Sequence, residues 1–257
     1  MTAFVPVENR YAGRVAVLTG AASGIGRATA LRLAAEGAVV HALDMNAAGL
    51  EETADLAAGL PGTVRVRVTD VRDRADCFAA IADVVTDSGR LDVLGNIAGI
   101  ARYEHATQVS EADYRAMMAV NLDGPFFLCQ AAIPHLTAHD GNIVNVASTG
   151  GLIGQAYTAV YTMSKGALVQ LTRSLAVEFM KQNLRINAIA PGAVETPLVT
   201  GFAMPDDVDL SLTTNTLTPR PMATADDVAA LFCFVASPEA RNINGAVLST
   251  DSGVTAA

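Results

Sequence analysis

Short runs of β-branched and other apolar residues alternate along the chain with segments in which apolar residues recur at helical spacing. A continuous apolar run between turn residues is typical of a strand buried on both faces of a parallel sheet. Segments in which apolar and β-branched residues predominate predict strands at 14–19, 38–43, 63–68, 91–94, 143–146, 185–190 and 246–249. Between them the spacing predicts one helix that ends at residue 36 and others at 47–58, 73–88, 110–135, 157–181 and 226–236. This alternation predicts right-handed βαβ units, and so a doubly wound α/β fold of about seven parallel strands with helices on both faces.

Nothing in the sequence divides the chain into more than one unit. It has no internal repeat, low-complexity tract or linker, and 257 residues are a common length for one α/β domain. We therefore predict a single domain over residues 1–257, with a polar N-terminal arm at 1–13 and a region without clear period at 193–223. A chain of this length can bury about three-quarters of its unfolded surface, so it needs no disulfide or metal for stability.

Composition narrows the possible partners and the compartment. The net charge is −9 and no basic cluster occurs, which argues against nucleic-acid and anionic-membrane binding. We find no signal-peptide hydrophobic region and no uncharged apolar run of about 18 residues, so we expect neither export nor a membrane span. Cys77, Cys129 and Cys233 are scattered and are interpreted as free thiols of a cytoplasmic protein. The four histidines lack metal-ligand spacing, so no metal site is predicted.

Three glycines, Gly20, Gly24 and Gly26, lie between the first strand and its helix. Glycine lets the backbone approach a phosphate closely, and the helix that follows offers free N–H groups and the positive end of its dipole. Asp44 comes directly after the second strand, where a carboxylate can bind ribose hydroxyls. A glycine turn alone is a weak signal, and Asp44 could instead cap a helix or be a solvated turn residue. The strand before, the helix after and the acidic residue together favour a dinucleotide site.

Tyr161 and Lys165 are four residues apart in the predicted helix 157–181 and share one of its faces. A phenol has a pKa near ~10, and an ammonium beside it would favour the phenolate and lower that pKa. Lysine is rare in this chain, so its use here indicates a need for a compact ammonium. Ser148 follows the fifth strand, where a loop could direct its hydroxyl to the same place. These groups could move a proton on or off a carbinol oxygen, whereas Tyr157 is interpreted as pocket wall or packing.

Other polar residues follow strand ends or helical segments on the same side of the sheet. They are Asp70, Asn96 and Asn121, and singly each is more often a cap or turn residue. In a doubly wound sheet, ligands bind beyond the carboxyl ends of the strands, near the point where strand order reverses. The sequence has no nucleophile elbow and no phosphate-loop lysine, which argues against hydrolase and kinase chemistry.

Taken together, these residues resemble the short-chain dehydrogenase/reductase family over residues 13–253. Residues 19–26, TGAASGIG, resemble its TGxxxGIG cofactor motif, and residues 191–196 resemble its Pro-Gly segment beside the nicotinamide. The residues that match its catalytic set at the usual spacing are Asn121, Ser148, Tyr161 and Lys165. The resemblance implies a single-domain Rossmann-type fold and hydride transfer between NAD and a secondary alcohol or ketone.

The resemblance also implies the role of each residue. In oxidation, Tyr161 as phenolate takes the hydroxyl proton while Ser148 holds the substrate oxygen. Lys165 binds the nicotinamide ribose and stabilises the phenolate, and Asn121 positions a water that passes protons to Lys165. The predicted cofactor-binding residues, besides Tyr161 and Lys165, are Gly20, Ser23, Gly24, Ile25, Gly26, Asp44, Met45, Asp70, Val71, Asn96, Ala98, Gly99, Pro191, Gly192, Val194 and Thr196.

The sequence departs from the family pattern at two positions. Ile97 stands where the second asparagine of the family's Asn-Asn-Ala-Gly is usual, and Ser252 stands where Asp-Gly-Gly has its first glycine. The first change could alter hydrogen bonding around the central strand, and the second could alter the C-terminal turn. Neither removes a catalytic group.

Asp44 favours NAD as the cofactor, because no basic residue accompanies it to bind a 2′-phosphate. One alternative is an NADPH-dependent ketoreductase similar to the 3-oxoacyl reductases, which would need such a basic residue. Another is a dinucleotide-binding protein without activity, which would have lost a catalytic side chain. The missing basic residue argues against the NADPH-dependent reductase. The presence of all the catalytic side chains argues against the binding protein without activity.

The region after residue 197 is predicted to bind the substrate. It combines three aspartates with the apolar side chains Leu198, Phe202, Met204, Leu210 and Leu217. This composition predicts a neutral, moderately apolar alcohol or ketone. The helix predicted at 157–181 is apolar nearly all round, which predicts burial against a second subunit and, from the resemblance, a homotetramer.

Overall fold

Seven strands form one parallel sheet in the computed structural model, which describes residues 5–201, 204–216, 218 and 220–256. The strands are β1 Val15–Thr19, β2 Val39–Asp44, β3 Thr63–Val68, β4 Val93–Asn96, β5 Gly141–Val146, β6 Leu184–Pro191 and β7 Val247–Thr250. Their order is β3-β2-β1-β4-β5-β6-β7, and all neighbouring pairs are parallel. The predicted doubly wound α/β fold is confirmed. Strand order reverses between β1 and β4, where such sheets open a crevice at their carboxyl ends.

Helices cover both faces of this sheet. They are α1 Gly24–Ala35, α2 Ala47–Leu56, α3 Arg74–Ser88, α4 Glu111–Met118, α5 Gly124–Leu136, α6 Ala159–Glu178, α7 Pro197–Thr200 and α8 Ala225–Val235. Successive side chains of a strand point to opposite faces. Ala16 and Leu18 of β1 therefore pack into one apolar core with α1 and α8, while Val15 and Val17 pack into a second with α3 and α5.

Two helical boundaries differ from the prediction. The segment 110–135, predicted as one helix, contains a π-helical turn at Ala119–Asp123 between α4 and α5. The helix predicted at 157–181 begins only at Ala159, because Tyr157 has a left-handed φ of 63° that an α-helix does not contain. The other boundaries agree closely, since those segments have an unbroken period and clear turn residues at their ends.

The described part of the region 193–223 contains little regular structure, as its lack of period predicts. Besides α7 it has a 3-10 helix at Leu210–Thr216. Phe202 and Leu217, which the sequence assigns to the substrate region, lie outside the described residues.

The N-terminal arm packs onto the domain in its described part, residues 5–13. Tyr11 is fully buried, and its hydroxyl donates to the carbonyl of Cys233 at 2.6 Å. Arg10 forms an ion pair of 2.7 Å with Glu36, which is fully buried. Tyr11 therefore belongs to the core on the α8 side of the sheet, although most of the arm around it is exposed.

The continuous helical run Glu111–Leu136 is long and apolar enough to cross a membrane by length and composition, with a hydropathy of 1.3. In the fold, however, α5 packs against α3, and its Leu128, Ala132 and Leu136 are fully buried in the core. Its apolar character is thus explained by burial inside the domain.

Candidate active site

A cleft of about 880 Å³ lies beyond the carboxyl ends of β1, β2 and β4. Of the predicted cofactor-binding residues, those that line it are Gly20, Ser23, Gly24, Ile25, Gly26, Asp44, Met45, Val71, Ala98, Gly99 and Thr196. Six further residues that the sequence reasoning did not single out for this site also line it: Thr69, Ile97, Ile100, Val120, Pro197 and Leu198. Most of them adjoin predicted residues along the chain.

The glycine turn after β1 forms the floor of the cleft. Gly20 and Gly24 have φ values of 68° and 50°, which most side chains avoid. A Cβ on Gly26 would lie 2.0 Å from the carbonyl oxygen of Gly20, so no other residue fits there. Ser23 precedes α1 without capping it through its side chain, which leaves the first N–H groups of the helix for a ligand. This cradle fits the pyrophosphate of a dinucleotide.

Asp44 holds its carboxylate beside that turn. It accepts hydrogen bonds from the backbone N–H groups of Ala22 at 3.2 Å and Asn46 at 2.9 Å. The interpretation of Asp44 as a helix cap is wrong, because Asn46 caps α2 with a side chain that accepts from Gly49 at 3.1 Å. The Asp44 carboxylate is therefore fixed in place at the wall of the cleft, where a ribose could reach it.

The segment after β3 lines the far end of the cleft through Thr69 and Val71. Asp70 turns its carboxylate to Arg72 at 2.7 Å, and this hydrogen-bonded pairing lowers the pKa of the Asp70 carboxyl group. The Asp70 backbone N–H donates to the carboxylate of Asp76 at 2.8 Å. The hydrogen bonds of Asp70 thus stabilise the conformation of this segment, while Thr69 and Val71 line the cleft.

Among the predicted cofactor-binding residues, Asn96 is the one whose observed position differs most clearly from the prediction. It is buried, and its amide donates to the side chain of Asn145 at 2.8 Å, which in turn donates to Thr172 at 2.9 Å. Its side chain thus supports the sheet from the core and does not reach the cleft. The reason is strand alternation, which turns Asn96 towards the α5 and α6 face. Thr19 organises the adjoining loop, since its hydroxyl accepts from the N–H of Ile97 at 2.9 Å.

The segment that follows β6 reaches the cleft only at its end. Thr196 lines the cleft, but Pro191, Gly192 and Val194 do not, and Val194 is buried in the core. The Gly192 N–H donates to the carbonyl of Thr250 at 3.1 Å, which ties this segment to β7.

The C-terminal turn contains Ser252 at the position where the family pattern has a glycine. Ser252 adopts a left-handed φ of 55°, a conformation that suits glycine. The Asp251 carboxylate accepts from the N–H groups of Gly253 at 3.0 Å and Thr255 at 2.9 Å. These hydrogen bonds hold the turn against Gly192, where a Cβ would lie 3.0 Å from the Asp251 backbone.

Ser148, Tyr161 and Lys165 come together next to the cleft. The Ser148 hydroxyl accepts from the N–H of Gly150 at 3.0 Å and lies beside the Tyr161 phenol, whose pKa it lowers. Lys165 is buried, and its Nζ donates to the carbonyl of Val146 at 2.8 Å. A Cβ on Gly99, in the lining of the cleft, would lie 3.3 Å from that Nζ, so the ammonium adjoins the cleft directly.

The pKa shifts of Tyr161 and Lys165 differ from the prediction. Burial raises the pKa of the Tyr161 phenol, and the Ser148 hydroxyl opposes that rise while nearby Tyr103 adds to it. Burial also lowers the pKa of Lys165 to about 8. The expectation that the lysine lowers the tyrosine pKa is therefore wrong for the protein alone, because both groups lie in surroundings that disfavour either charge.

Asn121 lies within the π-helical turn that interrupts the helical run. Its side chain accepts from the Ile100 N–H at 2.9 Å and donates to the Ile100 carbonyl at 2.9 Å and to Ser164 at 3.0 Å. A Cβ on Gly99 would lie 3.4 Å from the Asn121 oxygen, so the side chain adjoins both the cleft and Lys165. Such π turns occur often at functional sites.

These observations agree with comparisons to known proteins. A family model described as Enoyl-(Acyl carrier protein) reductase matches residues 20–255. The chain belongs to the short-chain dehydrogenase/reductase family.

Two relatives and one solved structure illustrate the similarity. The chain is 41% identical to the 2-(R)-hydroxypropyl-CoM dehydrogenase of Xanthobacter autotrophicus, over 95% of this chain and 99% of that one. It is 37% identical to the 3-oxoacyl-[acyl-carrier-protein] reductase FabG of Thermotoga maritima, over 95% of this chain and 99% of that one. A short chain dehydrogenase from Mycobacterium paratuberculosis, solved bound to NAD, superposes with a TM-score of 0.89 at 30% identity, covering 96% of this chain and all of that one.

The fold, the cleft and these relatives together identify the class of enzyme. The protein is a nicotinamide-dinucleotide-dependent oxidoreductase that acts on secondary alcohols or ketones. Among the described residues, no group of three His, Cys, Asp or Glu side chains could hold a metal ion.

Proposed function

We propose that the protein is an NAD-dependent secondary-alcohol dehydrogenase whose catalytic residues are Ser148, Tyr161, Lys165 and Asn121. The observation that carries the proposal is that Ser148 lies beside Tyr161, with the buried Lys165 at the edge of the dinucleotide cleft. A nicotinamide dinucleotide, when bound, supplies the hydride acceptor and a positive ring in its oxidised form.

The side chains of this chain handle the proton. Ser148 holds the substrate oxygen, and Tyr161 takes the hydroxyl proton as hydride leaves the carbinol carbon. Because burial raises the pKa of Tyr161, the phenolate must be stabilised by neighbouring positive charge, which Lys165 provides when protonated. Asn121 positions a water that passes protons to Lys165. The Gly20 turn would hold the pyrophosphate, and Asp44 the adenosine ribose.

The choice of NAD rests on Asp44. Its carboxylate is held at the cleft wall by two backbone N–H groups, and the adjoining Met45 brings no positive charge. The main alternative remains an NADPH-dependent 3-oxoacyl reductase. The observation in its favour is the 37% identity to the Thermotoga maritima enzyme. Because cells keep NAD mostly oxidised, we propose alcohol oxidation as the direction in the cell.

The proposed substrate is a neutral, moderately apolar secondary alcohol or its ketone. Leu198 lines the cleft, and the exposed Met204 and Leu210 follow in the proposed substrate region at 193–223. The aspartates there, on a chain of net charge −9, would slow the encounter with a strongly anionic thioester. Screening secondary alcohols and ketones with both cofactors tests this, and efficient turnover of an anionic thioester that falls steeply with salt would contradict it.

We further propose that the enzyme is a cytoplasmic homotetramer. Leu168 and Leu175 of α6 are buried against the domain, whereas Met163 and Val177 on the same helix expose 46 and 66% of their surface. A helix that is apolar on its outward side is stabilised by a neighbouring subunit. Light scattering at micromolar concentration should report a tetramer, and a monomer would refute the proposal.

Replacing Tyr161 with phenylalanine tests the catalytic assignment. The change removes the acid–base group but keeps the ring, so we expect kcat to fall at least about a hundredfold while NAD affinity changes little. Tyr157→Phe is the matched control and should keep most of its kcat. A nearly active Tyr161→Phe with an inactive Tyr157→Phe would show that the wrong tyrosine was chosen. A wild type that binds NAD but turns over no alcohol or ketone would favour the binding protein without activity.

A further inference from the structure

Residues 204–216 lie against the residues that precede α6, and they have little apolar packing of their own. Only Thr213 is buried among them, while Met204, Leu210 and Leu212 expose 43, 61 and 56% of their surface. Burial of apolar surface therefore contributes little to holding this segment in place. Its position depends on polar contacts.

Tyr157 makes two of the contacts that hold the segment. Its phenol oxygen accepts a hydrogen bond from the backbone N–H of Asp209 at 2.9 Å. Its ring meets the imidazole of His105 edge to face, with centroids 5.1 Å apart. The Tyr157 side chain thus connects the residues just before α6 to two other segments of the chain.

His105 and Asn215 extend this set of contacts. The Nε2 atom of His105 lies 2.9 Å from a carboxylate oxygen of Asp207. At the other end of the segment, the amide of Asn215 donates to the carbonyl of Gly154 at 2.8 Å. Residues 204–216 are therefore attached at three points to the chain around Tyr157.

The backbone of Tyr157 is strained in a way that serves these contacts. Its φ of 63° is rare for an aromatic residue and persists only where the surroundings enforce it. In this conformation its carbonyl accepts from the N–H of Glu104 at 2.7 Å. Tyr161 follows four residues later in the first turn of α6, so the strained residue adjoins the proposed acid–base group.

We propose that Tyr157 and His105 are positioning residues that latch the 204–216 segment over the alcohol-binding side of the site. This inference rests on the proposed function, since it assumes that the alcohol binds beside Tyr161. The latched segment supplies a wall for the alcohol. The glycine turn and Asp44 lie elsewhere in the cleft, so the latch should affect the alcohol and not the dinucleotide.

Two variants release the latch in different ways. Tyr157→Phe removes the acceptor for the Asp209 N–H but keeps the ring beside His105, and Asp207→Ala removes the carboxylate that contacts His105. Asp206→Ala is the matched control. It removes the same charge from the same segment, and among the described residues Asp206 has no side-chain hydrogen bond or ion pair.

Steady-state kinetics should separate alcohol binding from dinucleotide binding. We expect each latch variant to raise KM for the best alcohol of the screen about fivefold, the effect of one hydrogen bond, with KM for NAD unchanged. The double variant should raise KM by less than the product of the single effects, because both changes release one latch. Asp206→Ala should leave both constants within about twofold of the wild type, since exposed single charges contribute little.

Hydrogen exchange of the free protein tests the latch without catalysis. We expect the peptide that covers residues 205–212 to exchange at least about threefold faster in both latch variants, and at the wild-type rate in Asp206→Ala. Unchanged exchange together with unchanged KM would overturn the latch even if Tyr161→Phe is inactive as proposed. Equal effects in Asp206→Ala would instead assign the change to the charge of the segment, and would also overturn it.

Discussion

Cofactor choice should depend on the carboxylate of Asp44, and the structure allows the effect to be estimated. The carboxylate accepts hydrogen bonds from two backbone N–H groups, at 2.9 and 3.2 Å, and so cannot turn away from a ligand without losing them. Each hydrogen bond to a charged group contributes about 1.5–3 kcal/mol. Rotation away from a 2′-phosphate would thus remove at least one such contribution.

The repulsion itself is of similar size. A phosphate charge about 4 Å from the carboxylate costs about 4 kcal/mol at an effective dielectric near 20. Solvent and small movements will recover part of this, and about 3 kcal/mol remaining corresponds to a preference of more than a hundredfold for NAD over NADP. The hydrogen bonds that Asp44 can accept from the ribose of NAD act in the same direction.

The double variant Asp44→Ala with Met45→Arg removes the repulsion and adds a positive charge. It should weaken NAD and admit NADP, measured both as kcat/KM at a fixed alcohol concentration and as Kd by calorimetry. Glu51→Arg is the control, because it changes the net charge by the same two units from an exposed position on α2. Equal kcat/KM of the wild type with both cofactors would refute Asp44 as the discriminator, while the dehydrogenase assignment would stand.

Two further predictions concern the ligand-free protein and its glycine turn. Burial lowers the pKa of Lys165 from 10.5 to about 8, so between these values the unfolded chain holds a proton that the folded protein lacks, and stability rises with pH. Denaturant titrations should therefore compare the free energies of unfolding of the wild type and of Lys165→Met. The difference, wild type minus variant, should increase by up to about 3 kcal/mol from pH 8 to 10.5. A difference that does not change with pH would show that the Lys165 amine is not buried as described. Gly26→Ala should abolish NADH binding in a fluorescence titration, because its Cβ would lie 2.0 Å from the Gly20 oxygen, whereas Gly154→Ala, with open space around it, should bind normally; binding by both variants would contradict the described turn.

The sequence by itself determined the features that depend on local pattern. The strand at 63–68 is observed over the range that its β-branched run predicts, and the alternation of strands with helices was enough to predict one parallel sheet. The glycines of the first turn and the spacing of Tyr161 and Lys165 could equally be recognised from the sequence. A tight turn and a shared helix face are set by residues close together in the chain.

Only the tertiary structure decided how those residues are surrounded. The side chain of Asn96 lies in the core because its strand is central and its side chain faces the helices. The pKa of Tyr161 rises because the folded chain buries much of its side chain and brings Tyr103 near it, although the lysine four residues later predicted the opposite. Tyr157 is held in a left-handed conformation by contacts with residues near 104 and 209, on two other segments of the chain. Burial and long-range contacts are properties of the assembled chain, and no period or motif within one segment specifies them.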